Sequence, residues 1–592
     1  MHFHRIAAAL SLLCASSAWA QTDYTIRITE PSHHLADITM TLDTAKTGAL
    51  AVKMPAWRTG KYQIMDLANG VRRFVVKDAS GKELKFDKTD KSTWTVQVEK
   101  PGRLTVSYQV YANALDGRSR HIDDTHAYID SSAYLMFSDE SRDDEAVVQL
   151  DVPKGWRSTS GMPRLGEHQF KAANYDVLID SPIETGIHQS YTFKADGRDY
   201  EVVIWGEGNY NAKQMVADLE KLVQQTDTIW QGYPYQNYLF IVHATDNAGG
   251  ATEHLNSTVI QRPRFAFKKR EHYLDFLATA SHELVHTWNV KAYRPAEMVP
   301  YDFLNPNYTK LLWISEGSTS YFQNQLLLRA GLMTHDEFYA GLAKALDKFS
   351  RLPGAQVQSV AQSSFDSWIS LPGDHADNFS VNIYSEGYLV SWMLDQWLLQ
   401  NSDLKANYRD LHNELYQRFA KTTAFTAEDV KAIAKQLTGD SLEDFWQAQV
   451  ETPLELDAKG LLASAGLELV YPTSQKPMSG ITSINKDGVE KVVKVLRDSP
   501  AWQAGMTAED EVISVNGLKL KSPLDERLKD FNPGDKISLH LFRSGRLISV
   551  DLTLGAAPDG LPKVQPVAKP TKAQRAFHKA WLGVELRDKP SK

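Results

Sequence analysis

The pattern of hydrophobic and polar residues divides the chain into a strand-rich first third, a helical middle and a strand-rich end. From Tyr24 to about Ser190, apolar and polar side chains mostly alternate between Gly, Asp and Lys turns, with the two-residue period of half-buried strands. The clearest strand segments are residues 24–28, 39–42, 74–76, 94–98 and 104–108. We therefore expect an all-β, sandwich-like domain over residues 21–192, which supports the domain that follows it.

The pattern changes after Trp205. Residues 211–232 carry apolar side chains at helical spacing, and residues 238–242 form a continuous apolar strand. Helical patterns continue to about Val450, and strand patterns return from Leu461. The sequence therefore predicts a multidomain α+β protein, with a mainly helical domain over residues 193–458, a β-rich domain over 459–556 and a Pro-rich linker and tail over 557–592.

The first twenty residues are typical of an export signal. Arg5 precedes an apolar run over residues 6–15, and the small residues at 18–20 resemble a cleavage site. The apolar run is too short to span a bilayer, which takes about 20 residues. Cys14, the only cysteine, lies inside this segment. We expect residues 1–20 to be a signal peptide and the mature protein to be exported, periplasmic or secreted, without disulfides or thiolate metal sites.

Length and charge narrow the range of partners. The 592-residue chain has a formal net charge of −8 and no long basic run, which argues against a nucleic-acid partner. No segment after the signal approaches transmembrane length. We therefore expect no membrane span in the mature chain.

The strongest chemical motif is His-Glu-x-x-His at residues 282–286. On a helix, His282 and His286 lie one turn apart on the same face and can present imidazole nitrogens to one ion. Glu283 is rotated by about 100° from His282, near enough to reach a water molecule on that ion. Two imidazoles, one carboxylate and an open position form the usual catalytic zinc set, so we expect one Zn²⁺ ion per chain.

The third zinc ligand must come from elsewhere in the chain. Glu316 lies within the strongly apolar segment 310–322, where a carboxylate is unfavourable unless it is paired or binds a cation. Glu297 is the rival, but it lies in a Pro-rich connection that leaves its direction undefined. A ligand on a rigid helix is better positioned, so the sequence favours Glu316.

The segment 247–258 follows the apolar strand and suggests a substrate-binding region. Gly249 and Gly250 let the backbone approach a ligand closely, and Glu253 stands where a carboxylate could face the cleft. The alternative is an ordinary surface turn with a solvated glutamate.

Several segments together resemble the glycyl aminopeptidase family of zinc gluzincin metallopeptidases, to which thermolysin is more distantly related by fold. The segment 383–390 is similar to the family's Tyr-x-Lys-Gly-x-Leu-Val stretch, with Glu386 where the family commonly has Lys. The other segments that carry the resemblance are 282–291, 294–295, 313–317, 249–254, 54–57 and 60–62.

The resemblance implies a thermolysin-like catalytic domain and a set of roles. Glu283 would act as general base, and Tyr384 would donate a hydrogen bond to the oxyanion, although Tyr384 could instead be a core aromatic. Glu253 would bind the free α-amine of the substrate, beside Gly249 and Gly250. The function implied is a zinc-dependent aminopeptidase that hydrolyses N-terminal Gly or Ala from peptides.

The C-terminal region resembles a PDZ domain of the bacterial protease type. The similar segments are residues 498–501, 504–506, 510–517 and 534–537. Such domains bind a C-terminal peptide as an added strand, and we expect Gly466-Leu467 to form the carboxylate loop. The alternative is a groove covered by the catalytic domain. We expect residues 581–584 to dock back onto the chain as a last strand.

Two other functions remain open from the sequence. One is a zinc endopeptidase of envelope proteins guided by the PDZ domain. The other is a non-catalytic peptide-binding protein. A serine hydrolase is disfavoured, because the chain contains no Gly-x-Ser-x-Gly motif.

Overall fold

The computed structural model describes residues 21–246, 248–422 and 424–588, so the expected signal peptide at residues 1–20 lies outside the described part. The chain forms two compact units. One contains residues 21–58 together with Asp66–Ile187, and the other contains Thr59–Met65 and the described residues between 188 and 588. Among the described residues, no helix combines the length and the apolar character needed to cross a bilayer.

The first unit is rich in β-structure, as predicted. Its strands form a seven-stranded, a five-stranded and a three-stranded sheet. On the first strand, Tyr24, Ile26 and Ile28 are buried and alternate with more exposed residues, which is the predicted period of two. The elements are β1 (Gln21–Glu30), β2 (Leu35–Thr44), β3 (Gly48–Lys53), β4 (Val71–Asp78), β5 (Phe86–Lys88), β6 (Thr93–Val98), β7 (Gly102–Tyr111), β8 (Asn113–Ala114), β9 (Arg120–Ile122), β10 (His126–Ile129), α1 (Ser131–Tyr134), β11 (Glu145–Asp151), β12 (Arg157–Ser160), β13 (Arg164–Gly166), β14 (Gln169–Ala172), α2 (Tyr175–Ile179) and β15 (Ile183–Gly186).

The second unit begins with a mixed five-stranded sheet. Its elements are β16 (Gln189–Ala195), β17 (Arg198–Trp205), α3 (Ala212–Val223), β18 (Asn237–Ala244), β19 (Gly250–Glu253) and β20 (Ser257–Arg262). The strand order is β16-β17-β18-β20-β19, which places β19 at an edge, antiparallel to β20. The boundary expected after residue 192 falls inside β16, whereas the structure divides the chain after Ile187.

A helical region packs beside this sheet, as predicted. Its elements are α4 (Arg270–His286), β21 (Arg294–Pro295), α5 (Ser318–Arg329), α6 (His335–Ser350), α7 (Val360–Phe365), α8 (Ala376–Phe379), α9 (Ser385–Asn401), α10 (Tyr408–Phe419), β22 (Ala424–Phe425), α11 (Ala427–Thr438), α12 (Glu443–Trp446) and α13 (Ala458–Ser464). Leu277, Leu284 and Val285 of α4 are buried in its core, where the Trp230 and Trp288 rings stack with centroids 4.7 Å apart. This core supports α4, the helix that carries the His-Glu-x-x-His motif.

The C-terminal region is again rich in strands. Its elements are β23 (Leu467–Val470), β24 (Gln475–Met478), β25 (Ile481–Lys486), β26 (Val489–Val495), α14 (Pro500–Gln503), β27 (Glu511–Val515), β28 (Leu518–Lys519), α15 (Leu524–Leu528), β29 (Lys536–Arg543), β30 (Arg546–Thr553), β31 (Gly555–Pro558), β32 (Lys563–Pro566) and α16 (Lys572–Leu582). Five strands pair in the order β25-β26-β27-β29-β30, and β28 adds to β27.

The expected linker after residue 557 is in fact paired. Strand β31 pairs with β24, and β32 pairs with β23. These ladders are only two strands wide, and such edge positions tolerate the prolines that suggested a linker. Leu467 begins β23 and is 1% exposed, so the expectation that Gly466-Leu467 forms a carboxylate loop is wrong.

The tail docks onto the chain, but as a helix instead of the expected strand. Thr571 and Gln574 form a capping box at the start of α16, and Phe577 and Trp581 lie four residues apart on its buried face. The Trp581 Nε1–H donates to the Tyr321 hydroxyl at 2.7 Å. The capping box and the apolar spacing are both readable from the sequence, but they lie over residues 571–581, outside most of the expected strand 581–584.

Candidate metal centre

Two turns of α4 and a following π-helical turn bring three potential ligands together. His282 and His286 lie one turn apart on α4, and their Nε2 atoms are 3.1 Å apart. Glu316 lies in the π-helical turn Trp313–Gly317, and its Oε2 is 3.5 Å from His282 Nε2 and 3.2 Å from His286 Nε2. The structure thus places the carboxylate beside the two imidazoles.

Neighbouring groups orient both imidazoles. His282 Nδ1 lies 2.7 Å from the side-chain oxygen of Gln323, and His286 Nδ1 lies 3.0 Å from the carbonyl oxygen of Asn289. With Nδ1–H donating in each case, both Nε2 atoms present lone pairs toward Glu316. A histidine ligand in proteins usually has such a fixed partner on its other nitrogen. Two nitrogens and one carboxylate oxygen, held in this way, fit a zinc ion.

Asn289 connects the two parts of the centre. Its amide group donates to the carbonyl oxygens of Ile314 at 2.8 Å and Ser315 at 3.0 Å, and to the hydroxyl of Thr319 at 3.0 Å. Asn289 is completely buried. Single π-helical turns are often found at functional sites, and this one carries Glu316. The contacts of Asn289 therefore set the position of Glu316 relative to α4.

The candidate ligands shift one another's pKa values. Burial acts to lower the pKa of His286, but the Glu316 and Glu253 carboxylates outweigh it and raise that pKa. Burial acts to raise the pKa of Glu316, but His286 and His282 hold it well below its usual value. The carboxylate is therefore ionised, as a metal ligand must be.

Two further carboxylates face the centre. A carboxylate oxygen of Glu253, a carboxylate oxygen of Glu283 and a ring nitrogen of His286 all lie within 4.8 Å of one another. Glu283 is 6% exposed and Glu253 is 5% exposed, so Glu253 is not the solvated residue of the alternative interpretation. Gly250 begins the edge strand β19, which ends at Glu253, and Gly249 immediately precedes it; both glycines are exposed.

Tyr384 immediately precedes α9 and borders the same cleft. Its ring centroid is 6.1 Å from that of His282, and the residue is 39% exposed, unlike a core aromatic. Partial burial and the carboxylates of Glu316, Glu253 and Glu283 raise the pKa of Tyr384, so its hydroxyl stays protonated.

Glu386, at the position where lysine is common, has a structural role. It accepts the Asn382 backbone N–H at 2.6 Å and the Ser385 hydroxyl at 2.9 Å. It is 1% exposed, and burial raises its pKa. The carboxylate is thus buried and bound to the segment that precedes α9.

The π-helical turn Trp313–Gly317, here named the ligand turn because it carries Glu316, contacts α9 at two glycines. A Cβ atom on Gly317 would lie only 2.3 Å from the carbonyl carbon of Gly387, and one on Gly387 would lie 2.9 Å from Gly317 Cα. Glu316 and Tyr384 are close in sequence to this contact. The glycine pair therefore sets the spacing between them.

The rival ligand Glu297 does not join the donor cluster and accepts a hydrogen bond from Thr309 at 3.1 Å. Sequence reasoning gave no role in the centre to Gln323, Asn289 or Tyr62. The Tyr62 hydroxyl donates to Glu316 Oε1 at 2.5 Å, across 254 residues of chain. The only sequence signal for Tyr62 was the Gly60-Lys61-Tyr62 segment, noted for its resemblance and not for chemistry.

Parts of the chain are similar to known protein families and solved structures. Residues 23–187 match the family model of the Peptidase M61 N-terminal domain, and residues 275–390 match that of M61 glycyl aminopeptidase. The crystal structure of an aminopeptidase N family protein from Idiomarina loihiensis superposes with a TM-score of 0.87, at 26% identity over 95% of this chain and 100% of that chain. An M1 zinc metallopeptidase from Deinococcus radiodurans has a TM-score of 0.46, at 13% identity over 71% of this chain and 91% of that chain.

A curated relative matches a shorter stretch. It is described as a probable periplasmic serine endoprotease DegP-like from Pseudomonas savastanoi pv. phaseolicola, and it is 28% identical over 134 residues. The match covers 22% of this chain and about a quarter (27%) of that relative.

The fold and the site together define a hydrolase of the metallopeptidase class. Within that class, the chain is similar to the M61 peptidases in two segments, one matching their N-terminal domain model and the other their glycyl aminopeptidase model.

Proposed function

We propose that the chain is a zinc-dependent aminopeptidase that removes small N-terminal residues, Gly or Ala, from peptides. The observation that carries the proposal is the clustering of His282, His286 and Glu316 with two more buried carboxylates, Glu283 and Glu253. A purely structural metal site has four protein ligands and needs no adjacent acid–base group, whereas catalytic sites have three ligands. The surplus carboxylates therefore favour catalysis over a non-catalytic binding protein.

The proposed mechanism assigns a role to each of these groups. When bound by His282, His286 and Glu316, zinc supplies Lewis acidity that polarises a carbonyl and acidifies water. The Glu283 carboxylate takes the proton of the attacking water and then delivers it to the nitrogen of the leaving amine. The protonated hydroxyl of Tyr384 donates a hydrogen bond to the oxygen that becomes negatively charged.

The exopeptidase assignment depends on Glu253. Its buried carboxylate lies at the end of edge strand β19, where an extended substrate could add to the sheet with its backbone beside Gly249 and Gly250. A free α-ammonium paired with this carboxylate would place the first peptide bond near Glu283. The match to the glycyl aminopeptidase model supports a small first residue.

A panel of aminoacyl-p-nitroanilides tests the proposal, with wild type and Glu283→Gln assayed for turnover and zinc content. We expect the highest kcat/KM for glycyl and alanyl substrates, and no turnover of an N-blocked, internally quenched peptide. Faster cleavage of the blocked peptide would instead support the endopeptidase alternative, and a wild-type protein without zinc would contradict both.

We also propose that residues 459–556 form a PDZ domain that binds peptide C-termini. Within the described residues, β25 pairs on one side only, with β26. A cavity of about 410 Å³ lies beside β25 and α15, lined by Met478, Ile481, Leu496, Leu524 and Leu528 among others. An open strand edge next to an apolar cavity suits an added peptide strand. A fluorescent peptide with a free C-terminus should bind, whereas its amidated counterpart should bind at least tenfold more weakly.

Finally, we propose that the protein is exported to the periplasm. The signal-like residues 1–20 and the resemblance to relatives described as periplasmic support this. Fractionation of the native host should recover a protein that begins near Gln21, and an intact N-terminus in the cytoplasmic fraction would contradict the proposal.

A further inference from the structure

The two carboxylate oxygens of Glu316 have different partners. Oε2 faces the His282 and His286 Nε2 atoms at 3.5 and 3.2 Å, while Oε1 accepts the Tyr62 hydroxyl at 2.5 Å. One oxygen thus points to the position where an ion would be held, and the other is fixed by a neutral donor. Ligating carboxylates in metalloproteins are commonly held in this way.

The segment that carries Tyr62 is built into the same compact unit as the metal centre. Thr59–Met65 belongs to the second unit, although the residues on either side belong to the first. The Tyr62 ring meets Trp368 edge to face, with centroids 6.1 Å apart, which fixes the direction of the phenol. A segment of seven residues therefore brings one hydroxyl group to the ligand carboxylate.

Gly60 shows how closely this segment fits. Its φ of +74° is in the left-handed region, and a Cβ at this position would lie 2.5–2.8 Å from the carboxylate atoms of Glu253. Only a glycine lets the backbone pass so close to that carboxylate. The segment thus contacts the centre at two points, Glu253 through Gly60 and Glu316 through Tyr62.

We propose that Tyr62 is a positioning residue of the metal centre, whose hydroxyl holds Glu316 Oε1 so that Oε2 is presented to the zinc ion. This inference rests on the proposed zinc-dependent function. A carboxylate without this donor would rotate about its terminal torsion, which has a broad energy minimum, and would lose its preferred direction toward the ion. Removal of the hydroxyl should therefore weaken zinc binding before it affects folding.

The test is Tyr62→Phe, which removes the hydroxyl and keeps the ring against Trp368. Zinc affinity is measured on the full-length protein by competition with a chromogenic chelator, without substrate. We expect zinc affinity to fall by about 10- to 100-fold, the usual effect of losing a partner of a metal ligand. Substitution of cobalt for zinc should also give an altered visible absorption spectrum, because the ligand geometry changes.

Two variants serve as controls. Tyr308→Phe removes the hydroxyl of a tyrosine that is 45% exposed and stacked on Phe365, and it should leave zinc affinity unchanged. Glu283→Gln should lose turnover while it keeps wild-type zinc affinity. Tyr62→Phe should show the opposite pattern: its zinc affinity should be weakened, and its kcat should partly recover at high zinc concentration.

The outcomes separate the two proposals. If the wild type binds zinc and Tyr62→Phe binds it equally tightly with an unchanged cobalt spectrum, Tyr62 is only a packing residue and the inference is overturned. If the wild type binds no zinc in the same titration, the proposed function fails and the inference fails with it. An equal loss of zinc affinity in Tyr308→Phe would also overturn it, since the effect would not be specific to Tyr62.

Discussion

Gly317→Ala tests whether the contact between the ligand turn and α9 sets the catalytic geometry. The new methyl group would lie 2.3 Å from the Gly387 carbonyl carbon and 2.4 Å from Gly387 Cα, whereas ordinary contacts are 3.4–4 Å. Both neighbours are backbone atoms, so the two segments must separate by roughly 1 Å. Such a displacement of a catalytic group can lower turnover by about 100-fold, and overpacking of this kind costs about 1–3 kcal/mol.

The assay combines kcat on glycyl-p-nitroanilide with the midpoint of thermal unfolding. We expect both to fall for Gly317→Ala. They should fall less for Gly387→Ala, whose methyl group would lie 2.9 Å from its nearest neighbour. The matched control is Gly341→Ala, in the middle of α6 with nothing within 4 Å of the added Cβ. It should stabilise the helix by about 0.8–1 kcal/mol and leave kcat unchanged. Wild-type kcat and stability in Gly317→Ala would refute the argument from close contact.

Three other predictions concern proton transfer, the amine site and pH. Glu283→Gln should retain zinc by elemental analysis while kcat falls by about 10²- to 10⁴-fold, because the proton acceptor is lost; unchanged turnover would exclude Glu283 as general base. Gly60→Ala should push the Glu253 carboxylate aside and raise KM for free-amine substrates by about 10-fold, a change of 1.4 kcal/mol, whereas wild-type KM would show that Glu253 does not bind the amine. Burial lowers the pKa of His578 from its ordinary value of 6.5 to about 4 in the folded protein. The contribution of His578 to the free energy of unfolding is therefore fully present above pH 6.5 and falls as pH drops toward 4, by up to about 3 kcal/mol. Hydrogen exchange of residues 572–582 should increase over this range, and constant protection would contradict the prediction.

The local parts of the site could be predicted from the sequence because their signals are short-range. The four-residue spacing of His282 and His286 is readable from the helical period alone, and α4 runs through both residues. Glu316 could be chosen over Glu297 because a charge in an apolar segment demands a partner. Both arguments use only residues close together in the chain and the chemistry of one side chain.

The strand register and the C-terminal ladders were harder to predict. Strands β24 and β31 are separated by more than 70 residues, and their pairing gives order to prolines that suggested a linker. The helix α16 was missed for a different reason, since its capping box and apolar spacing are local but extend over a longer segment than the four residues considered. Pairing partners are set by tertiary contacts, which a period of two along one strand does not reveal.

The candidate metal centre likewise contains two kinds of residue: those with distinctive metal chemistry, and those that hold them in place. Its candidate ligands are histidines and a glutamate, residue types that indicate metal binding when their spacing is right. The groups that hold them are an asparagine, a glutamine, a tyrosine and two glycines, residue types that are common throughout any chain. Asn289 acts on the carbonyl of Ile314, 25 residues away, and Tyr62 acts on Glu316, 254 residues away. The geometry of this centre therefore depends on residues whose role is defined only by partners that are distant in sequence. Substitutions at these residues should alter the geometry and the zinc affinity of the centre, while the reactive groups themselves remain.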